Sequence, residues 1–228
     1  MRGRIAVYLE VTPKRTFAGA IEWPGWCRAG KTEEDALAAL VAYAERFARV
    51  VARGKVGFKP PTAVDGLEVV ERLKGNATTE FGAPGIPPVA DKRPLTAAEL
   101  RRQSRLLEAA WKAFDAAWRK AAKAKVELRK GPRGGGRDLP KMRDHVLGAE
   151  EGYLGALGSR HPRMADATEA DRMAAVRETA LSALSARAGG KPIADPRQTK
   201  KPWSPRFYVR RSAWHALDHA WEIEDRSF

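Results

Sequence analysis

Residues 203–226 read WSPRFYVRRSAWHALDHAWEIEDR, and the fold turns on how this stretch is read. It has the marks of one helix of roughly six turns. Ser204 stands where an N-cap belongs, and Pro205 follows at the first helical position, where a missing N–H costs nothing. No Gly or Pro interrupts the pattern after Pro205. Phe207, Trp214, Trp221 and Phe228 recur every seven residues, and Leu217 joins their stripe, so one flank is apolar. His215 and His219 are one turn apart, which puts their rings on the same side about 6 Å apart along the axis. Tyr208, Arg211 and Glu222 fall on that side too. A polar face flush against an aromatic one suits a helix that lines a cleft.

Working back from this helix, three more helical patterns precede it. Thr168 to Asp171 forms a capping box that opens a run bearing Met173, Val176, Ala180, Leu181 and Leu184, stopped by Gly189-Gly190. Asp138-Leu-Pro140 starts another, Pro140 to about Leu157, whose expected inward line is His145, Ala149, Gly152 and Ala156. Thr96 to Glu99 caps a third, with Leu100, Leu107, Trp111, Phe114 and Trp118 on one face, to about Val126. Four helices of similar length with long connections predict a four-helix bundle. The basic Gly-rich stretch 130–137 lacks the Gly-Lys-Ser/Thr ending of a phosphate-binding loop and reads as a surface loop.

The first part of the chain has another character. Residues 4–11 and 16–23 alternate in hydropathy and read as strands joined by a turn at Thr12–Arg15. A short strand at 26–29 follows the Pro24-Gly25 break. Thr32 then opens one helix running to Gly54, and 66–73 reads as a last strand. The order β-β-β-α-β predicts a small α+β layer with the helix on one sheet face. Residues 75–94 hold Gly and Pro with little periodicity and read as a linker. The expected fold is therefore α+β and mainly α: 1–75 an α+β domain, 76–94 a linker, and 95–228 a four-helix bundle.

Composition bounds the function. The chain has 228 residues and a net charge of +14, which favours nucleic acid, anionic ligands or acidic partners over neutral ones. Cys27 is the sole cysteine, so no internal disulfide exists and a reducing compartment fits. Without an activating histidine in its own domain, it reads as a structural thiol. No apolar run is long enough for a membrane span or a signal peptide, so a cytoplasmic protein with no membrane partner is expected.

The chemistry rests on three of the four histidines. A second bundle helix passes 8–10 Å from the first, axis to axis, close enough for His145 to complete a site begun by His215 and His219. Neutral imidazoles suit Zn, Ni or Fe(II), and three protein ligands leave an open position, as in catalytic sites. The His-x-x-x-His pair alone leaves hydrogen-bonded or surface histidines open as a reading. It is not a zincin motif, since Ala216 stands where the glutamate would be. Glu222 and Asp218 are positioned to orient a ligand imidazole or to serve as a base, and Arg211 or Arg210 to hold an anionic group.

Two resemblances extend this reading. Trp23-Pro24-Gly25, Ala29-Gly30-Lys31-Thr32 and Glu33-Glu34-Asp35-Ala36 make residues 4–73 similar to the HicB-like antitoxin module, which implies a fold and an interaction surface. The stretch from Tyr208 to Arg226 resembles the final helix of the DinB-like (DinB/YfiT) superfamily, and Met142-Arg-Asp-His-Val-Leu its second helix. That resemblance covers about 95–228. It implies a divalent metal on His145, His215 and His219, with Glu222, Arg211 and Tyr208 as catalytic candidates. It also implies thiol-dependent transfer, with a thiol cofactor, or metal-dependent hydrolysis of a small-molecule substrate, in a homodimer. The alternative is a non-enzymatic regulatory protein whose HicB-like module and basic surface bind nucleic acid or a protein.

Overall fold

The computed structural model describes residues 3–52, 54–130, 136–161, 164–191 and 201–227. Most of the Gly-rich loop, and Phe228 of the aromatic stripe, lie outside these residues. The protein is a mixed α+β structure, predominantly helical. Its elements are β1 (Ile5–Val11), β2 (Thr16–Ala20), β3 (Cys27–Gly30), α1 (Glu33–Ala42), α2 (Ala44–Ala52), β4 (Leu67–Lys74), α3 (Ala77–Phe81), α4 (Ala97–Lys123), α5 (Leu139–Leu157), α6 (Glu169–Ala188) and α7 (Pro205–Ser227). Short 3-10 turns lie at Val64–Gly66 and Val89–Lys92.

The sheet order is β3-β2-β1-β4. β1 and β2 pair antiparallel, as their short turn requires, whereas β4 joins β1 in parallel after a crossover through α1 and α2. Leu9 lies opposite Ala18 and Val7 opposite Ala20, and these four share a fully buried face with Trp26, Leu40 and Phe47 from the α1–α2 side. The opposite face is buried as well. There Phe17 and Cys27 cluster with Trp214 of α7, the Phe17 and Trp214 rings meeting edge to face at 5.9 Å. The sheet is thus covered on both faces rather than the one expected from the pattern.

The predicted helix from Thr32 to Gly54 is two helices. Its start is as read: the Thr32 hydroxyl accepts from Asp35 N–H and the Asp35 carboxylate from Thr32 N–H. It breaks at Tyr43 (φ −94°, ψ 0°). The Trp26 indole N–H donates at 2.9 Å to the Leu40 carbonyl, an acceptor of the last turn that the Tyr43 N–H also uses.

The stretch read as a linker is anchored at two points. Glu10, fully buried on β1, accepts from Gly85 N–H at 2.9 Å, from Ile86 N–H at 3.1 Å and from the Thr79 hydroxyl. Asp91 in the Val89–Lys92 turn is held by Arg210 of α7 at 2.7 Å through both carboxylate oxygens. Neither anchor leaves a signal in hydropathy, because each buries a charge.

Each of α4, α5, α6 and α7 packs against the other three, and α4 against α7 most extensively. α7 is buried on nearly every side. Its aromatic flank meets the α+β unit, where Trp221 lies 5.0 Å from Tyr43 and Asp218 accepts from Arg28 at 2.8 Å. One hydrophobic core runs from Val7 through Phe47 and Leu107 to Ile223. α7 is therefore shared between sheet and bundle, which accounts for a helix apolar on one flank and polar on the other with almost no exposed surface.

Burial between Phe17 and Trp214 on the other sheet face pushes the Cys27 thiol up to about 12, with Glu10 adding to the effect. Cys27 should resist iodoacetamide at mildly alkaline pH in the native protein and react once guanidinium unfolds it. Comparable labelling rates in both states would show that the thiol is reachable.

Candidate metal centre

The site lies on the seam where α5 passes α7. Asp138 caps α5 by accepting from Lys141 N–H at 2.9 Å, with Pro140 in the first turn, and this sets the phase that brings His145 toward α7. The helix's buried line is Met142, Val146, Leu147, Glu150, Leu154 and Leu157. The expected inward line of His145, Ala149, Gly152 and Ala156 is instead partly exposed, with Gly152 open to solvent. Small residues beside a histidine mark the rim of the site, not the core of the bundle. Space beside Gly148, Gly152 and Gly155 is open: a Cβ at any of them would touch nothing within 4 Å.

Three imidazoles converge there. Nε2 of His215 lies 3.2 Å from Nε2 of His145 and 3.2 Å from Nε2 of His219. One ligand atom from each residue lies within 4.8 Å of the other two. The His145 and His219 ring centroids are 4.9 Å apart. Two nitrogens each ~2.0–2.1 Å from a common ion at a near-tetrahedral angle stand about 3.3 Å apart, which the two separations from His215 match for a zinc-sized cation.

The proton positions favour the same geometry. His219 Nδ1 lies 2.9 Å from Glu222 Oε2. A carboxylate only accepts, so this bond assigns the proton to Nδ1 and leaves the Nε2 lone pair facing inward. Glu222 Oε1 accepts in turn from Arg226 at 2.7 Å, and the Arg226 Nε–H donates to the Arg129 carbonyl at 2.6 Å. Burial opposes ionisation of Glu222, but the hydrogen bonds from His219 and Arg226 outweigh it and hold the carboxyl below its usual range.

Burial, reinforced by the neighbouring His219, lowers the His145 ring to about 4. His215 is pushed well below the usual imidazole value by burial, by His219 and by the Arg211 guanidinium. Both rings are neutral at neutral pH, as ligation requires. Their folded values lie below the unfolded ~6.5, so the unfolded chain binds more protons in between and stability rises with pH there. With chelator present, the unfolding midpoint should climb from about pH 4, the His145 value, and level off above ~6.5. A His145→Asn/His215→Asn variant should lack that part of the slope. An identical pH profile in the variant would show that the rings do not carry it.

The other expected site residues divide. Arg211 is buried beside His215, its guanidinium 4.7 Å from the Trp214 ring and 5.3 Å from Tyr153, with one terminal nitrogen lacking a hydrogen-bond partner among the described residues. Tyr208, expected to line the cleft, is fully buried and lies two turns from His215, about 10 Å along the axis. Burial and the Glu150 carboxylate both raise its hydroxyl's pKa. Asp218 turns to Arg28, and Arg210 is committed to Asp91, so neither serves the histidines. His161 pairs with Glu151 at 3.1 Å, outside the cluster. Tyr153 was not foreseen: its ring meets His215 edge-on at 5.6 Å and Trp203 at 5.3 Å. Its spacing of eight from His145 places it on the same helix stripe and was the available signal.

No family model, curated protein or solved structure matches this chain. Among the described residues, no helix is long and apolar enough to cross a membrane.

Proposed function

We propose that this protein is a metalloprotein of the DinB-like kind, holding a divalent Zn, Ni or Fe ion on His145, His215 and His219 and carrying a HicB-like module at its N-terminal side. The activity we assign is thiol-dependent transfer or hydrolysis on a small molecule. The observation that supports it is the convergence of three imidazole nitrogens within 4.8 Å, with the tautomer of His219 fixed by Glu222.

Held by His145, His215 and His219, such an ion would supply Lewis acidity. The chain's own groups do the rest. Glu222 holds the His219 ring in place. Arg211, with an unspent N–H beside His215, is suited to an anionic group of the substrate. The Tyr153 ring packs on His215 and is backed by Trp203, an aromatic flank to the histidines. The α+β unit covers the far side of α7 and keeps water from the flank the histidines do not use.

The test is metal content after purification with Zn, Ni or Fe(II) supplied, followed by turnover of electrophilic substrates with and without low-molecular-weight thiols. About one ion per chain is expected, falling to background in His145→Ala. A sub-stoichiometric content that His145→Ala leaves unchanged would sink the proposal. Turnover that requires an added thiol would select transferase over hydrolase. A non-enzymatic binding role has the charge of +14 in its favour.

A further inference from the structure

We infer that the seam between α2 and α4 is a binding groove for the phosphodiester backbone of single-stranded nucleic acid. This surface is separate from the histidine cluster and does not depend on a metal being bound there. On α4, Arg105, Ala109, Lys112, Ala116 and Lys120 recur at spacings of four and three, so they form one stripe along the helix. Across the seam stand Arg49 of α2 and Lys55 of the turn that follows it. Gly54 abuts α4 so closely that a Cβ there would come within 3.3 Å of the Arg105 carbonyl oxygen. Arg49, Lys55, Arg105 and Lys112 are exposed.

Two clefts lie along successive stretches of this seam. One of about 410 Å³ has Arg49 and Lys120 on its rim and Val50, Ala117, Ala121 and Trp221 beneath. The other, about 250 Å³, is lined by Lys55, Arg105 and Lys112. The alanines of α4 keep the floor low, which leaves the cations standing above a trough.

Among the described residues the acids in the two clefts are Glu108 and Glu224, and both face cations: Glu108 lies 4.0 Å from Lys112, and Glu224 is held by Arg46 at 2.6 Å. The cations of the seam are spread from Arg105 to Lys120, about 22 Å at the helical rise. Charge on both walls of a trough this long matches a flexible chain bearing a negative charge on every unit. A positively charged groove that tracks the backbone is the electrostatic part of how single strands are held without base readout. An acidic peptide would have to supply carboxylates in the same unbroken register, so the phosphodiester chain is the better fit.

Fluorescence anisotropy of the full chain with a labelled oligo-dT, at low and at physiological salt, tests this. A seam variant, Arg49→Gln/Arg105→Gln/Lys112→Gln, is compared with Lys14→Gln/Arg72→Gln/Lys141→Gln, which removes the same charge from exposed positions elsewhere. Thermal melts verify that both are folded. The wild type should bind with a steep salt dependence. The seam variant should bind on the order of tenfold more weakly, with its log–log salt slope shallower by about 2 for three lost phosphate contacts. The control should stay close to wild type. Equal weakening of both variants, no wild-type binding at low salt, binding to duplex alone, or poly-glutamate binding as tight as the oligonucleotide would each overturn the inference.

Discussion

Arg210→Met should destabilise the protein by about 3–5 kcal/mol, because it strands a buried carboxylate without its partner. Arg210 is 5 % exposed and Asp91 1 %. The guanidinium gives Nε–H and one N–H to Asp91 at 2.7 Å each, and donates to the Ala20 carbonyl at 2.7 Å and the Ile21 carbonyl at 2.8 Å. One side chain thus ties α7 to the end of β2 and to the turn at Val89–Lys92. For a chain of this size the melting temperature should fall by roughly 6–20 °C, at about 2–4 °C per kcal/mol. Asp91→Leu alone should cost a similar amount. The double variant should recover much of the loss, since no lone charge remains, but not all of it, because two strand-end carbonyls stay without donors. Urea unfolding of the four proteins reads the cycle. A single variant within about 1 kcal/mol of wild type would mean that water reaches the stranded carboxylate and the pair is not a buried one.

The same pair shows where sequence reading stopped. Local rules held wherever the cause was local. The Thr32, Thr96 and Thr168 capping boxes all carry both reciprocal bonds. Pro205 opens α7, and Gly189 stands just after α6. The His215–His219 pair was legible because a helix turn fixes its geometry whatever surrounds it. What failed was decided at long range. Beside the break at Tyr43, the Leu40 carbonyl accepts from an indole donor fourteen positions away from it. The second covered face of the sheet depends on α7, nearly two hundred residues downstream of β2. Glu10, Asp91 and Arg210 carry no mark in the sequence of the partners that bury them, and so residues 75–94 looked untethered. On α5 the error was one of criterion. Choosing the inward line by small residues beside His145, rather than by Met142, Val146 and Leu154, rotated the helix and turned a rim into a core.

Zinc added to chelator-treated protein should raise its melting temperature sharply, and His215→Ala should abolish the effect. A ligand at a thousand times its dissociation constant stabilises the folded state by about 4 kcal/mol, which for a chain of this length is roughly 8–16 °C. His215 is the informative position because its Nε2 lies 3.2 Å from both other ligand nitrogens, so its loss removes the shared corner of the triangle. Glu222→Gln should fall between the two. Loss of the carboxylate that fixes a ligand ring weakens metal binding about 10–100-fold, so about 1.4–2.7 kcal/mol of the stabilisation should disappear. Arg226→Gln should follow in the same direction with a smaller loss, since it acts only by holding Glu222 at 2.7 Å. Melts in chelator alone establish that each variant folds before zinc is added. Zinc held by scattered surface groups, such as the His161–Glu151 pair, would shift every variant alike. A His215→Ala protein that keeps the wild-type shift would therefore place the ion elsewhere and remove the basis for the proposed chemistry. The graded order, wild type above Arg226→Gln above Glu222→Gln above His215→Ala, is what a centre oriented from Arg226 through Glu222 and His219 must produce.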